Sequence, residues 1–392
     1  MKIKSLLLIL MVLLPMQLFG QERTPSQDAI YKRPFIGIGQ SNTAVGGYLE
    51  GNTNYFSEDG VSEGFSMEMR RFNIFLYSTI SQRIRFLSEL EFEHGTEEIE
   101  LETALLDFEI NPGLILRGGI ILPPIGSFNQ NHDSPKWEFI ERPLVSTQII
   151  PSTLSEIGFG INGRIFRPDY SVTYDLYLVN GIGDGIILNE EGRTFLQAGK
   201  SEERFEEDNN GEPMITGRFA LIHQKLGEFG ISYYGGTYNS YKLEGEEVDE
   251  KRKLSIVAFD VDAKIGKASI RGEVAFNSID VPDDISEIYG TKQWGGYAEI
   301  VYPIYRGNLL SYDNATINLN VRVERIDYNK GTFNSTKENI YDEVNALVLG
   351  VSFRPTASTV FRANYRRHWL RDILGNPTVN IGGFQFGLAT YF

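Results

Sequence analysis

Ile381-Gly-Gly-Phe-Gln-Phe-Gly-Leu-Ala-Thr-Tyr-Phe392 decides the fold. Phe384, Phe386, Leu388, Thr390 and Phe392 share one face of this alternating run, and Gly383, Gln385, Gly387, Ala389 and Tyr391 share the other. The first face is apolar and the second mostly small, as in a wall with lipid outside and water inside. A strand that reaches the last residue suits a sheet that closes on itself, because the final strand must pair with the first.

The other end of the chain agrees. Lys2 and Lys4 precede an apolar run from Leu6 to Leu14, followed by Pro15 and a short segment ending at Gly20. These are the regions of a secretory signal peptide over residues 1–20, with cleavage expected between Gly20 and Gln21. The absence of cysteine excludes an acylated N-terminus, disulfides and thiolate metal sites. Beyond the leader there is no apolar run near the ~20 residues a helical span requires, whereas barrel strands need only ~9–11 alternating residues.

The chain carries 37 basic and 52 acidic residues, a net charge of −15, or about −17 once Lys2 and Lys4 are removed with the leader. Nucleic acid is therefore not an expected partner. Much of the excess lies in runs such as 97–102, 202–208 and 244–250, which read as a solvated rim, with calcium or partner binding as the alternative.

Residues 21–43 show no clear alternation and read as a periplasmic or lumenal lead-in. From Ala44 to Phe392 the chain repeats one unit, an alternating strand followed in turn by a tight turn or a long polar loop. Strands are expected at 44–56, 66–80, 84–94, 101–110, 114–122, 157–166, 171–180 and 214–222, then at 229–239, 253–263, 268–278, 292–302, 315–327, 343–353, 359–369 and 381–392. The fold class is thus all-β, a transmembrane antiparallel barrel of about sixteen strands, with fourteen and eighteen as alternatives. Short links such as Asn111-Pro-Gly113 and Arg167-Pro-Asp169 supply turn chemistry. The link 303–314 breaks the pattern, being long where a short one is due, which implies an extended turn or a miscounted pair.

A charged side chain at mid-depth on the lipid side costs ~2–4 kcal/mol, so the charged faces must point inward. That assigns Arg71, Arg85, Arg117, Arg164, Arg218, Arg271, Arg322, Arg362 and Arg366 to the lumen. Glu89, Glu91, Glu93, Asp107, Glu109, Asp175, Asp260, Asp262, Glu273, Glu299 and Glu324 join them. Sixteen strands leave an aqueous channel, and charges lining such a pore act on permeating solutes. The alternative for each is a bracing pair across strands. With both signs present in similar number, strict ion selectivity does not follow.

The connection 123–156 is too long for idle linkage. Its apolar content, including Phe128, Trp137, Phe139 and isoleucines, needs burial, and the inner wall is available. A loop folding inward would place Asp133, Lys136, Trp137, Glu138, Glu141 and Arg142 at a constriction, opposite Arg71, Arg85 and Arg117. An external loop or oligomer contact is the other reading. Aromatic residues near strand ends, among them Tyr48, Tyr55, Tyr77, Tyr174, Tyr233, Trp294, Tyr302, Tyr365, Trp369 and Tyr391, suggest interfacial girdles, while Tyr177 and Tyr297 have lumen parity. None of the four histidines stands at metal-ligand spacing from a carboxylate or a second histidine, so no catalytic residue, metal or other cofactor is expected. His94, after three lumen-parity glutamates, is the best candidate for a catalytic dyad.

Met69-Arg-Arg-Phe-Asn-Ile-Phe-Leu76, the run from Ile84 to Phe92, and Leu114-Ile-Leu-Arg-Gly-Gly-Ile-Ile-Leu-Pro-Pro124 resemble the opening half of the phosphate-selective porin family. Phe139 to Val145, Gly158 to Gly163 and Trp294 to Tyr302 resemble later segments of it. The resemblance implies a trimeric sixteen-stranded channel with a long constriction loop and basic pore residues, here Arg71 and Arg117. The constriction lysine cluster is missing, since Lys136 stands among acids, so a general channel for small polar or ionic solutes fits better than one specific for phosphate. The expected setting is the outer membrane of a Gram-negative bacterium, with its lipids and the solutes as partners. Two other classes remain open, a non-transporting barrel serving as adhesin or scaffold, and a barrel-embedded hydrolase.

Overall fold

The structure, a computed structural model, describes residues 24–37, 42–200, 204–373 and 375–392. The expected signal peptide lies outside the described residues. Sixteen long strands alternate in direction. They are β1 (Thr43–Glu58), β2 (Val61–Ser81), β3 (Ile84–Glu93), β4 (Glu98–Asn111), β5 (Leu114–Ile121), β6 (Glu156–Phe166), β7 (Tyr170–Val179) and β8 (Met214–His223). The second half comprises β9 (Gly227–Thr237), β10 (Lys253–Ile265), β11 (Ala268–Ile279), β12 (Lys292–Leu309), β13 (Tyr312–Asp327), β14 (Glu343–Thr356), β15 (Thr359–Arg371) and β16 (Val379–Tyr391).

Each strand pairs with its sequence neighbours, and β16 pairs antiparallel with β1, from Tyr391 opposite Tyr48 to Ile381 opposite Glu58. The sheet is therefore closed and has no free edge around its girth. Phe392 is anchored at the seam, its N–H donating to the Gly47 carbonyl at 3.0 Å and its ring stacked on Phe72 at 5.6 Å.

Alternation sorts the two faces. Outward residues are large and apolar, and their exposure in the isolated chain is high: Phe159 68%, Phe219 59%, Phe386 56%, Val323 51%. A closed barrel wearing such a belt is built for lipid, because every strand hydrogen bond is satisfied within the sheet. Among the described residues no helix is long and apolar enough to cross a membrane, which leaves crossing to the strands.

One rim carries only short links, including 82–83, 112–113, 266–267 and 310–311. The other carries the long ones, notably 122–155 and 180–213. The link expected at 303–314 is a two-residue turn, because β12 runs on to Leu309 and β13 begins at Tyr312. Leu310 and Ser311 both take positive φ, 50° and 65°, the geometry of a type I′ turn. Pro303 sits beside a bulge that makes Ile304 the extra residue, which is how a proline is carried inside this strand.

Candidate functional site

The interior is built on arginine–carboxylate pairs. Arg117 forks onto Asp107 at 2.8 and 2.9 Å, Arg218 onto Asp260 at 3.0 and 2.5 Å, and Arg322 reaches Glu299 through two nitrogens at 3.0 and 2.9 Å. Arg271 lies 3.4 Å from Asp262 and 3.6 Å from Glu299, and Arg164 lies 2.8 Å from Asp28. Arg71 joins Glu50 at 2.9 Å, Glu93 at 2.5 Å and Glu91 at 3.4 Å, while Arg362 takes the other oxygen of Glu50 at 3.0 Å. Asp175 accepts from Tyr177 at 2.9 Å. These inward-assigned residues are thus largely paired with one another, and most are buried rather than bathed in water.

Two bulges enlarge the inward set beyond simple parity. Glu50 opposes Arg71 and Gly51 opposes Met69, so Arg70 is the extra residue of β2 and turns inward beside Arg71. Likewise Glu89 opposes Thr103 and Leu90 opposes Leu101, leaving Glu102 as the extra residue of β4. A one-residue insertion flips parity, so alternation alone misses both.

The segment 122–155 lies against inward-facing side chains of strands spread around the barrel. The N–H groups of Ser127 and Phe128 donate to Glu273 at 2.9 and 3.3 Å, that of Ile140 to Asn364 at 2.9 Å, and that of Leu144 to Glu324 at 2.6 Å. Asn129 cinches the base, donating to Pro123 and Leu154 carbonyls at 2.8 and 3.0 Å and accepting from the Leu154 N–H at 2.8 Å. Gly126 is required beside Glu273, because its φ is +64° and a Cβ there would lie 2.1 Å from the carboxylate. Ile125, Val145, Ile149, Ile150 and Leu154 pack with Ile182, Ile186 and Leu196 of the next long link into an apolar core inside the barrel. Two long links thus bury their apolar residues against each other and against strand residues such as Ile326.

The acids of this segment find arginines other than the expected ones. Glu138 accepts from Arg354 at 2.6 Å and from Ser352. Glu141 accepts from Arg70 at 3.0 Å and Gln385 at 2.7 Å, and lies 3.8 Å from Arg366. Burial alone would raise both carboxyls, but the facing arginines hold them below the usual range. Arg85 and Arg117 do not face the segment's acids. They serve Asp107 and Glu109 and lie over the ring of Tyr31, at 5.0 and 5.8 Å. Trp137 packs on Phe128 at 4.9 Å, with Arg271 over its ring at 4.9 Å. Arg142 donates to Thr153 at 3.0 Å and, without an ion pair at 4.0 Å or less among the described residues, lends its charge to Glu91, Glu93 and Glu102 from farther off.

Between these elements a polar cavity of about 300 Å³ remains. Arg70, Arg71, Arg142 and Arg366 meet Glu93, Glu141 and Glu324 around it, four cations against three anions. Gln197 closes one side by donating to the Ser152 carbonyl at 3.2 Å, and Lys200, whose ammonium burial lowers to a pKa of about 8, donates to the Thr153 carbonyl at 2.8 Å.

Glu89, His132 and Asp133 come together with ligand atoms within 4.8 Å of one another, a grouping that sequence spacing did not bring out. Cations of the chain already serve it, with Arg33 at 2.8 Å from Glu89 and 2.6 Å from Asp133, and Lys136 at 2.9 Å from Asp133. His132 bridges the Asn129 carbonyl at 2.9 Å and Glu102 at 3.1 Å, and burial lowers its pKa. His94 pairs with Glu68 at 2.9 Å on the rim. Of the aromatic residues read as girdle, Tyr48 and Tyr391 are instead interior: Tyr48 is fully buried and approaches Glu91 at 3.4 Å, and Tyr391 donates to Asp133 at 2.6 Å. Tyr77 likewise packs against interior Tyr31, at 6.0 Å.

No family model matches the chain. A stretch of 166 residues is 30% identical to an uncharacterized protein of Aquifex aeolicus strain VF5, covering 38% of this chain and 37% of that one, so the match spans little more than a third of that relative. Among solved structures, the chain is similar to an anion-selective porin from Comamonas acidovorans, with a TM-score of 0.57 and 12% identity over 90% of this chain and 100% of the other. It is similar to the outer membrane channel DcaP of Acinetobacter baumannii, with a TM-score of 0.55 and 10% identity over 90% and 99%. OmpT, an outer membrane protein of Vibrio cholerae determined in a trimer form, matches with a TM-score of 0.52 and 12% identity over 89% and 99%. At such identities the likeness speaks for the fold, and the fold is that of outer-membrane β-barrels.

Proposed function

We propose that this protein is an outer-membrane porin of a Gram-negative cell, passing small polar or ionic solutes passively and acting as no enzyme. The observation that carries the reading is a closed sixteen-stranded barrel whose inner face is charged in both signs around a polar cavity of about 300 Å³. In this reading the segment 122–155 narrows the lumen, and the opposed arginines and carboxylates set a transverse field that favours polar over apolar solutes. Four arginines against three glutamates give the cavity a slight preference for anions, with no lysine cluster to make it specific for phosphate. Porins and a trimer form among the structural neighbours support carrying a channel role and a homotrimer to this chain.

Purified protein in a planar lipid bilayer tests this. Stepwise conductance is expected, silence would favour a scaffold or adhesin, and turnover of lipid or peptide would favour a hydrolase. Deleting residues 128–150 should raise single-channel conductance. Arg142→Glu should move the reversal potential toward cations, because it reverses a cavity-lining arginine that no close ion pair neutralises. Unchanged conductance and reversal potential in folded variants would remove the segment from the solute path.

A further inference from the structure

Residues 26–35 run as a strap through the lumen, tied by side chains at nearly every other position. The Ser26 N–H donates to Glu228 of β9 at 3.0 Å, and the Gln27 amide to Asp175 of β7 at 3.1 Å. Asp28 pairs with Arg164 of β6 at 2.8 Å, and the Tyr31 hydroxyl donates to Asp107 of β4 at 2.5 Å. Arg33 forks onto Asp133 at 2.9 and 2.6 Å, reaches Glu89 of β3 at 2.8 Å, and lies 4.0 Å over the ring of Phe75. Beneath the strap, Glu89, Asp107 and Asp175 are at most 1% exposed and Glu228 is 6% exposed. In a sixteen-stranded barrel these carboxylates would otherwise face channel water.

The strap behaves as a bound peptide. Its hold is apolar as well as polar: Ile30 lies in the apolar core, Tyr31 and Phe35 pack against it, and the Phe35 ring sits 6.3 Å from Phe75 and 5.5 Å from Tyr77. Polar contacts contribute little net free energy once water can replace them, so the apolar side chains supply the affinity and tethering adds a high effective concentration. We infer that the inner wall of β3, β4, β7 and β9 is a binding cleft for a turn-forming peptide bearing an aromatic hydroxyl and a guanidinium two residues apart, and that residues 26–35, folded as a short 3-10 helix and turns, occupy it as an intramolecular ligand that closes this half of the lumen. This rests on the channel reading above.

The test compares the full chain with one lacking residues 24–37 in planar bilayers. Deletion should raise conductance several-fold. A synthetic peptide of residues 24–37, added on the side of the short turns, should then block the deleted channel, and the same peptide with Arg33→Glu should not. Should the deleted chain fail to assemble, the intact chain decides. Asp28→Cys with Arg164→Cys, in a protein with no native cysteine, should conduct less when oxidised, with the strap locked in place, than after dithiothreitol, when both the crosslink and the native ion pair are gone. Equal conductance of full and deleted channels, absence of peptide block, or indifference of the cysteine pair to reductant would overturn the inference and leave the channel reading standing. If neither form conducts at all, both fall.

Discussion

Glu138 and Glu141, three residues apart on one segment, show how single side chains moor a loop to a wall. Each carboxylate is gripped by arginines from the strands, Arg354 for one, and Arg70 with Arg366 for the other. A carboxyl whose folded pKa is depressed contributes stability that is fully present above its unfolded value, about 4.3, and is lost as pH falls through the lower folded value. Acidification below about pH 4 should therefore loosen the segment first, seen as faster amide hydrogen exchange over 130–150 while the strands stay protected. Glu141→Gln should reproduce the loosening at neutral pH, at a cost on the order of 1–3 kcal/mol for the lost charge-assisted bonds. Slow, unaltered exchange in that variant would mean the apolar core alone holds the segment. Side-chain direction within a strand was legible because alternation is a local property of extended backbone. Arg70 and Glu102 were not, since each is the extra residue of a bulge whose existence depends on the partner strand. Tyr31 and Arg33 were hidden for another reason. They lie in a segment without periodicity, and only the folded wall reveals their partners.

At the scale of elements, the sixteen strands could be read because lipid on one side and charge on the other force a strict two-residue period. The failure at 303–314 came from chemistry that looks like a loop. Proline stands inside β12, and Leu310-Ser311 lacks the glycine or asparagine that a type I′ turn prefers. Both residues hold left-handed backbone angles that side chains with a Cβ adopt at some cost. Replacing Leu310-Ser311 with Asn-Gly should stabilise the β12–β13 hairpin by on the order of 1 kcal/mol, read as a higher urea midpoint in detergent. A midpoint that falls would show that Leu310, 73% exposed, makes contacts outside the isolated chain.

For the whole molecule, the outward belt is a single continuous requirement. Val321 lies on it between inward Asn320 and Arg322, so Val321→Arg should cost about 2–4 kcal/mol in lipid and reduce the folded fraction in vesicles. Normal folding of that variant would place β13 away from the bilayer midplane. The strap and the two long links inside the barrel explain why so few of its interior charges meet solvent. Their arrangement could not be read from the chain, because it depends on distances across the lumen that no local pattern encodes.

The hydrogen bonds between β1 and β16 join residues more than 300 positions apart, so they carry the largest loop-closure entropy of any strand pair in the molecule. Every other neighbouring pair can form as the chain becomes available, hairpin by hairpin, but this one must wait for the final residues. Until then the growing sheet has two raw margins, each ready to capture a foreign strand. Assembly thus has a last step written into its topology, and the interval before it is when the nascent barrel most needs shelter.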